Sequence, residues 1–341
     1  MKGFGSDNHS GVHPTILNKL IESNIEHQPS YGTDIYSQKA IDQFKEYFGD
    51  LCHVHFVYNG TAANVLCLQA ALRKYESFLC SDVSHLYIDE CGAPEFFSGK
   101  LIPVKSENGK IIISEIEKHL IRKGDQHYSQ PKLISITQPT ELGTCYTINE
   151  IKEIVTLAKK HQMYVHIDGA RLTNACSFLQ TSYKNITTDL GIDLLSFGGT
   201  KNGLAFGEAV IILNKNLQKD FKYIRKQSAQ LPSKTRFIAS QFLGYFENNL
   251  NFSIAEHVLK MAQMLTNEIK KYPELTLTQI TQSNAVFVKI PKHLISVLRD
   301  TYFFYVWDEL TFECRLMTSW DTTEAEILNF SQIIQKNIKS T

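Results

Sequence analysis

The chain has 341 residues, 43% of them hydrophobic and 21% charged, with 35 Lys+Arg against 35 Asp+Glu. That is the composition of an ordinary globular protein, long enough for two units or for one large α/β unit with an appendage, and its zero net charge gives no electrostatic reason for a nucleic-acid or anionic-membrane partner. Seven scattered cysteines without a C-x-x-C pair argue for reduced thiols over a disulfide framework or a metal site; with no bilayer-length apolar run and no signal-like core in "MKGFGSDNHSGVHP", a cytoplasmic location is expected.

In chain order, "VHFVYNG" (54–60) reads as a short buried strand ending in Asn-Gly, and "TAANVLCLQAALRKY" directly after it as a helix. "LISITQ" (133–138) is a second buried strand. "TINEIKEIVTLAKKHQ" is a helix opened by a capping box of Thr147 and Glu150, with Ile148, Ile151, Val155 and Ala158 along one face. "MYVHIDGA" is a strand ending at Asp168, "DLLSFGGTK" is another ending near Lys201, and "EAVIIL" (208–213) follows. This βαβα order predicts a parallel or mostly parallel sheet with helices on both faces. Helical stretches fill roughly 215–272. Three further strands ("AVFVKI", "FFYVWDE", "CRLMTS") and a closing helix from about Thr323 complete the chain. The sequence changes character near Asn248–Asn251. The expected division is a large domain over 1–248, including an N-terminal arm, and a smaller α+β domain over 249–341.

Ligands of open α/β sheets bind beyond the carboxyl ends of the strands, and three strand ends here carry polar punctuation. In "NGTAAN" (59–64), Gly60 permits a tight turn and Thr61 starts a helix whose free N–H groups suit a phosphate; taken alone, an ordinary Thr-capped turn is the commoner reading. In "HIDGAR" (166–171), Asp168 ends a very apolar strand and needs a partner: Arg171, a backbone turn or a cationic ligand. Arg171 could pair with it or grip a substrate carboxylate. In "SFGGTKNG" (196–203), Lys201 fails the Gly-Lys-Ser/Thr order of a P-loop. A lysine crowded at a glycine-lined strand end has a lowered pKa, which favours Schiff-base chemistry, and the glycines are expected to make room for a cofactor. One explanation covers all three. Pyridoxal 5'-phosphate needs a lysine for its aldehyde, an acid for its pyridine nitrogen and a cup for its phosphate. His85, in "SDVSHLYIDECGAPE", is a candidate to stack on the ring, with Asp89 and Glu90 near enough in sequence to orient it.

The segments "SDNHSGVHP", "YGTD", "NGTAAN", "SHLYIDECGAPE", "HIDGARLTNA" and "SFGGTKNG" together resemble the low-specificity L-threonine aldolases, which have the aspartate-aminotransferase-like fold (fold type I) of pyridoxal phosphate enzymes. "DECGAPEFFS", "ITQPTELG", "GGTKNG" and "SWDT" are similar to the phenylserine aldolase branch. The likeness runs from about Gly5 to Thr322. It implies that Lys201 forms the Schiff base, Asp168 partners the pyridine nitrogen, His85 stacks on the ring, and Gly60 and Thr61 hold the phosphate. Arg171 belongs to the cofactor site and, with Ser6 and Arg315, to the substrate carboxylate; Tyr31 lines the active site. It also implies a homo-oligomer, dimer or tetramer, with active sites at an interface, where Lys226, Lys234 or Arg236 is a candidate to reach a neighbour's phosphate. The reaction implied is cleavage of L-β-hydroxy-α-amino acids to glycine and an aldehyde. β-Elimination or transamination by the same cofactor is the alternative, and a non-catalytic binding protein on a retained fold is the alternative of another class. One departure stands out. Many threonine aldolases carry a histidine just after the strand equivalent to "LISITQ"; this chain has "QPTELG", with Thr140 and Glu141. His85, Glu141 and a water are all candidates for the base.

Overall fold

Seven strands line up as one sheet in the computed structural model, which describes residues 3–338. The strands are β1 (His53–Val57), β2 (Glu76–Ser81), β3 (Lys100–Val104), β6 (Gln130–Thr137), β7 (Tyr164–Gly169), β8 (Leu194–Phe197) and β9 (Glu208–Ile212); β4 (Ser106–Glu107) and β5 (Lys110–Ile111) make a separate hairpin. Their order is β1-β9-β8-β7-β6-β2-β3. Pairs β2/β3, β2/β6, β6/β7 and β7/β8 are parallel. Only β9 reverses, lying antiparallel to both β8 and β1, so the mostly parallel sheet expected from the sequence is present. The reversal follows from length: the stretch from Phe197 to Glu208 holds the Lys201 turn but no crossover helix, and parallel strands need a crossover.

Both faces of this sheet are covered, as its unbroken apolar strands require. One face packs on an aromatic-rich layer that includes Phe44, Phe48, Tyr183, Phe197 and Phe242, the other on the helix Gly60–Ala71 with Leu66, Phe78, Leu101 and Phe221. That helix stops earlier than its apolar pattern suggests, because Leu72 is already extended (φ −118°, ψ 146°). The helix Ile148–Lys160 begins with the predicted capping box: Thr147 accepts the Glu150 N–H, and Glu150 accepts that of Thr147.

A second sheet, fully antiparallel, has the order β10 (Thr276–Leu277), β11 (Ala285–Lys289), β13 (Glu313–Met317), β12 (Tyr305–Asp308). Its own core includes Leu265, Val286, Leu298, Leu316 and Phe330. The helix Leu250–Ile269, entered through the left-handed residues Asn248 and Asn249, runs through both cores: Ile254 and Val258 pack in the first, Met261 and Leu265 in the second. The N-terminal arm docks on the second sheet. Phe4 is buried in that core, donates its N–H to Phe303 O at 2.7 Å and accepts the Met317 N–H at 2.7 Å.

This topology has one functional consequence. The C-terminal ends of β1, β2, β6, β7 and β8 and the N-terminal end of β9 all reach the same sheet edge, where Gly60, His85, Glu141, Asp168, Lys201 and Glu208 gather.

Candidate active site

Lys201 sits in a single 3₁₀ turn, Thr200–Asn202, directly after β8. Asn202 braces the turn, its amide donating to Ala170 O at 3.1 Å and Gly198 O at 3.0 Å. The two glycines before it have a task beyond the one the sequence suggests. A Cβ at Gly198 would strike the Ala170 carbonyl, and one at Gly199 would strike the Gly207 carbonyl. The Lys201 turn is pressed against the "DGA" and "FGE" backbones, which by itself requires glycine at both positions, and Gly198 also lines the cavity described below. Glu208, the first residue of β9, completes the anchorage: its buried carboxyl accepts the Gly199 N–H. The Arg171 charge, and then burial, lower the Lys201 amine from its ordinary value against the pull of Asp7, Asp168 and Glu208.

Asp168 is buried at the end of β7. Its carboxylate accepts from Asn64 Nδ2 at 2.9 Å and from the Ala170 N–H at 3.0 Å. Burial works to raise it, yet Lys201, Asn64, His85 and the Ala170 N–H together hold it below the ordinary Asp value, so it is ionised. Asn64 is shared: its Nδ2 also donates to Glu90 at 2.8 Å, and Glu90 holds His85 Nδ1 at 2.9 Å. That hydrogen bond raises the His85 imidazole, and burial raises Glu90. Of the two acids near His85 in sequence, Glu90 orients the ring; the Asp89 backbone N–H bonds the His85 carbonyl.

At the N-terminus of the helix Gly60–Ala71, Asn59 caps by accepting the Ala62 N–H at 2.8 Å. The Gly60 and Thr61 N–H groups have no partner within the helix. No atom lies within 4 Å of where a Gly60 Cβ would be, so this end faces open space.

Arg171 does not pair with Asp168. Its Nε and Nη2 donate to the two carboxylate oxygens of Asp7 at 2.5 and 2.8 Å, and Asn284 Nδ2 donates to the same Asp7 at 3.1 Å. Arg315, on β13, stands with its guanidinium 4.7 Å from the Trp307 ring centroid, and its buried Nε has no hydrogen-bond partner among the described residues.

Two contiguous cavities join these groups. One is lined by Gly60, Thr61, His85, Asp168, Arg171 and Lys201, the other, of 160 Å³, by Ser6, His85, Arg171, Lys201, Trp307 and Arg315. Eight of the nine sequence-predicted site residues are thus brought together. Tyr31 is the exception. It is exposed, in a left-handed conformation (φ 63°), with its N–H on Ser233 O and the Lys226 ammonium 5.3 Å from its ring. Arg236 likewise bonds the carbonyls of Ile25 and Glu26 away from the cavities. A wider cavity of 710 Å³, beside Glu107, Lys110 and Gln279, shares none of the site residues. No group of three or more His, Cys, Asp or Glu among the described residues could hold a metal ion.

A family model described as beta-eliminating lyase matches residues 3–291. The chain belongs to the beta-eliminating lyase family. Within this family it is 39% identical over 330 residues to the low specificity L-threonine aldolase of Pseudomonas sp. (strain NCIMB 10558), covering 95% of this chain and 94% of that protein. It is likewise 39% identical over 325 residues to the low specificity L-threonine aldolase of Pseudomonas aeruginosa, covering 94% and 93%. The solved structure of Leishmania major threonine aldolase superposes with a TM-score of 0.94 at 31% identity, over 99% of this chain and 100% of that one.

Sequence reasoning passed over three residues of this family member's site. In the sequence, Asn64 shows only as one of two amides on a mainly apolar helix, Glu208 only as the acid opening an apolar strand, and Asp7 only by its place in the "SDNHS" segment. Each is a polar group in an apolar or buried setting, where it needs a partner.

Proposed function

We propose that the protein is a pyridoxal 5'-phosphate-dependent aldolase that cleaves L-β-hydroxy-α-amino acids of the threonine, allo-threonine and phenylserine type to glycine and an aldehyde. The observation that carries this reading is the convergence of a crowded lysine, an ionised buried aspartate and an open helix N-terminus at one sheet edge, in a chain of this family.

The residues fit the cofactor. Gly60 and Thr61 offer N–H groups without a partner in their own helix, beside open space at Gly60, as a phosphate requires. Asp168 stays ionised, as a partner for a protonated ring nitrogen must. Lys201, lowered by its surroundings, suits a covalent amine. His85, held at Nδ1 by Glu90, is the candidate to stack on the ring. When bound, the cofactor supplies an electron sink at the substrate α-carbon.

The chain's own groups handle the substrate. Arg315, whose Nε lacks a partner, is the candidate to bind the carboxylate, with Ser6 in the same cavity. Arg171 is clamped by Asp7 through Nε and Nη2, so it contributes to that carboxylate through Nη1. Fixing the carboxylate sets the orientation of the Cα–Cβ bond, which decides which bond breaks.

We further read the protein as a cytoplasmic homo-oligomer, dimer or tetramer, divided into domains over 1–248 and 249–341. Tyr31 and Lys226, which sit together on the surface outside the cavities, support an active site shared between subunits. Among the described residues no helix is long and apolar enough to cross a membrane. The family's description favours β-elimination as the second reading. Product analysis separates the two. Phenylserine and threonine yield glycine plus benzaldehyde or acetaldehyde from an aldolase, and an α-keto acid plus ammonia from an eliminating enzyme.

A further inference from the structure

Glu141 follows β6 at the same sheet edge, where many threonine aldolases carry a histidine. One carboxyl oxygen is anchored from two sides: Oε1 accepts the His85 backbone N–H at 2.7 Å and the Thr137 hydroxyl at 2.9 Å. The other, Oε2, is buried and has no hydrogen-bond partner among the described residues. A buried carboxyl oxygen without a donor is costly, and proteins seldom leave one unless a ligand or a proton completes it. The two cavities of the site meet at this residue. Among the described residues, Glu141 is the one carboxyl that lines both the side of Gly60 and Asp168 and the side of Arg315.

Resting on the aldolase reading above, we propose that Glu141 is the base of the cleavage, taking the proton of the substrate's β-hydroxyl. The O–H bond breaks and its proton passes to the Glu141 carboxylate. The O–H electron pair becomes the second carbon–oxygen bond of the aldehyde. The Cα–Cβ pair stays on the α-carbon, which takes up a proton to give glycine, and Glu141 returns its own proton to solvent.

The electrostatics agree with this geometry. Burial pushes Glu141 up to about 7, against the His85 N–H and Thr137 hydroxyl bonds that favour its ionised form. A base titrating near neutrality is the one best matched to proton transfer there. The titratable groups facing it are Asp168 on β7, which raises it further, Arg171, His85, and the thiol of Cys80 and phenol of Tyr146, both raised by burial and so uncharged. His85 is less suited to the task. Glu90 raises its imidazole and biases it toward the protonated form, which donates.

Glu141→Gln in the holoenzyme tests the assignment, because an amide oxygen keeps both anchoring bonds but cannot take the proton. Three readouts are compared with the wild type: visible absorption of the bound cofactor, exchange of the glycine α-proton with D₂O followed by NMR, and aldehyde release from phenylserine. Exchange needs the cofactor and Lys201 but no hydroxyl. The variant should keep absorption and exchange within ~3-fold while aldehyde release falls by at least ~10²-fold. Glu141→Asp, which keeps a carboxyl, should recover part of that loss. Infrared difference spectra of the cofactor-free protein should show two carboxyls titrating near pH 7 in the wild type, Glu141 and Glu208, and only the Glu208 signal in the Gln variant. Aldehyde release by Glu141→Gln within ~3-fold of wild type overturns the proposal. So does an equal loss of exchange and release, which marks Glu141 as structural. A wild type that exchanges glycine's proton but yields an α-keto acid instead of an aldehyde overturns the aldolase reading itself, an outcome distinct from the other two.

Discussion

Arg171 and Asp7 grip each other at the junction of the two sheets, with two hydrogen bonds of 2.5 and 2.8 Å between guanidinium and carboxylate. Asp7 belongs to the N-terminal arm, Arg171 follows β7, and Asn284 beside β11 donates to the same carboxylate, so the pair ties three separate parts of the chain at the site. Burial works to raise Asp7, but the Arg171 charge and its hydrogen bonds outweigh that and hold it below the ordinary value.

Asp7→Ala therefore leaves a guanidinium with a fifth of its side chain exposed and without its paired carboxylate. Breaking a buried pair costs roughly 3–5 kcal/mol, and the lower end is expected here because Arg171 keeps some contact with water. Urea unfolding should show a loss of ~3 kcal/mol at neutral pH. A depressed carboxyl stabilises the fold above its unfolded value near 3.8 and loses that contribution as pH falls through its folded value, so the gap between wild type and variant should narrow below pH 4. Equal midpoints at neutral pH contradict the role given to the pair.

Asp168→Ala removes the ionised partner proposed for the cofactor's ring nitrogen. Turnover should fall by at least ~10²-fold with the far-ultraviolet circular dichroism unchanged. Asn64→Ala, which frees Asp168 and Glu90 of their shared donor, should produce a smaller loss in the same direction. Near-normal turnover in folded Asp168→Ala removes that partner from the account.

Arg315→Ala tests the carboxylate clamp. A hydrogen bond to a charged group contributes about 1.5–3 kcal/mol, so KM for amino-acid substrates should rise roughly 10- to 100-fold. Cofactor absorption should be untouched, since Arg315 does not line the cavity that holds Gly60, Thr61 and Asp168. An unmoved KM makes Arg315 a structural neighbour of Trp307.

Glu208 gives a stability signature. Burial pushes its carboxyl from an ordinary 4.5 up to about 7. Between those values the folded protein holds a proton that the unfolded chain has lost. The contribution is therefore complete below pH 4.5 and disappears as pH rises through 7. Glu208→Gln keeps an acceptor for the Gly199 N–H and cannot titrate. Its urea midpoint should fall less than that of the wild type between pH 5 and pH 8. A parallel fall in both contradicts the assignment; Glu141, Glu90 and Asp193, also raised by burial, act with the same sign and contribute to the drop that remains.

How much of this was legible in the sequence follows from what each residue depends on. Lys201 and Asp168 end apolar strands, and a polar group at the end of a buried strand is visible without coordinates. The helix Ile148–Lys160 was equally plain, because its cap and its apolar face are local. Strand β2 carries "ESFLCS" and β3 carries "KLIPV", runs too mixed to read as strands; the pairing of β2 with β6, and of β3 with β2, is what makes them sheet. The task of Gly198 and Gly199 lies in contacts with Ala170 and Gly207, one of them nearly thirty residues away in the chain, which no local pattern encodes. The Asp7–Arg171 pair spans a separation of 164 residues and was hidden for the same reason. Tyr31 was read from resemblance alone, and a single chain leaves it outside both cavities.

The central claim, that Lys201 is the covalent amine of the cofactor, is tested most directly by trapping. The purified protein, saturated with pyridoxal 5'-phosphate, is reduced with borohydride, digested and read by mass spectrometry. One pyridoxyl-phosphate increment per chain on the peptide carrying Lys201, absent from Lys201→Ala together with the visible absorption and aldehyde release, is the predicted result. A label on another lysine, or a Lys201→Ala variant with unchanged spectrum and rate, contradicts it.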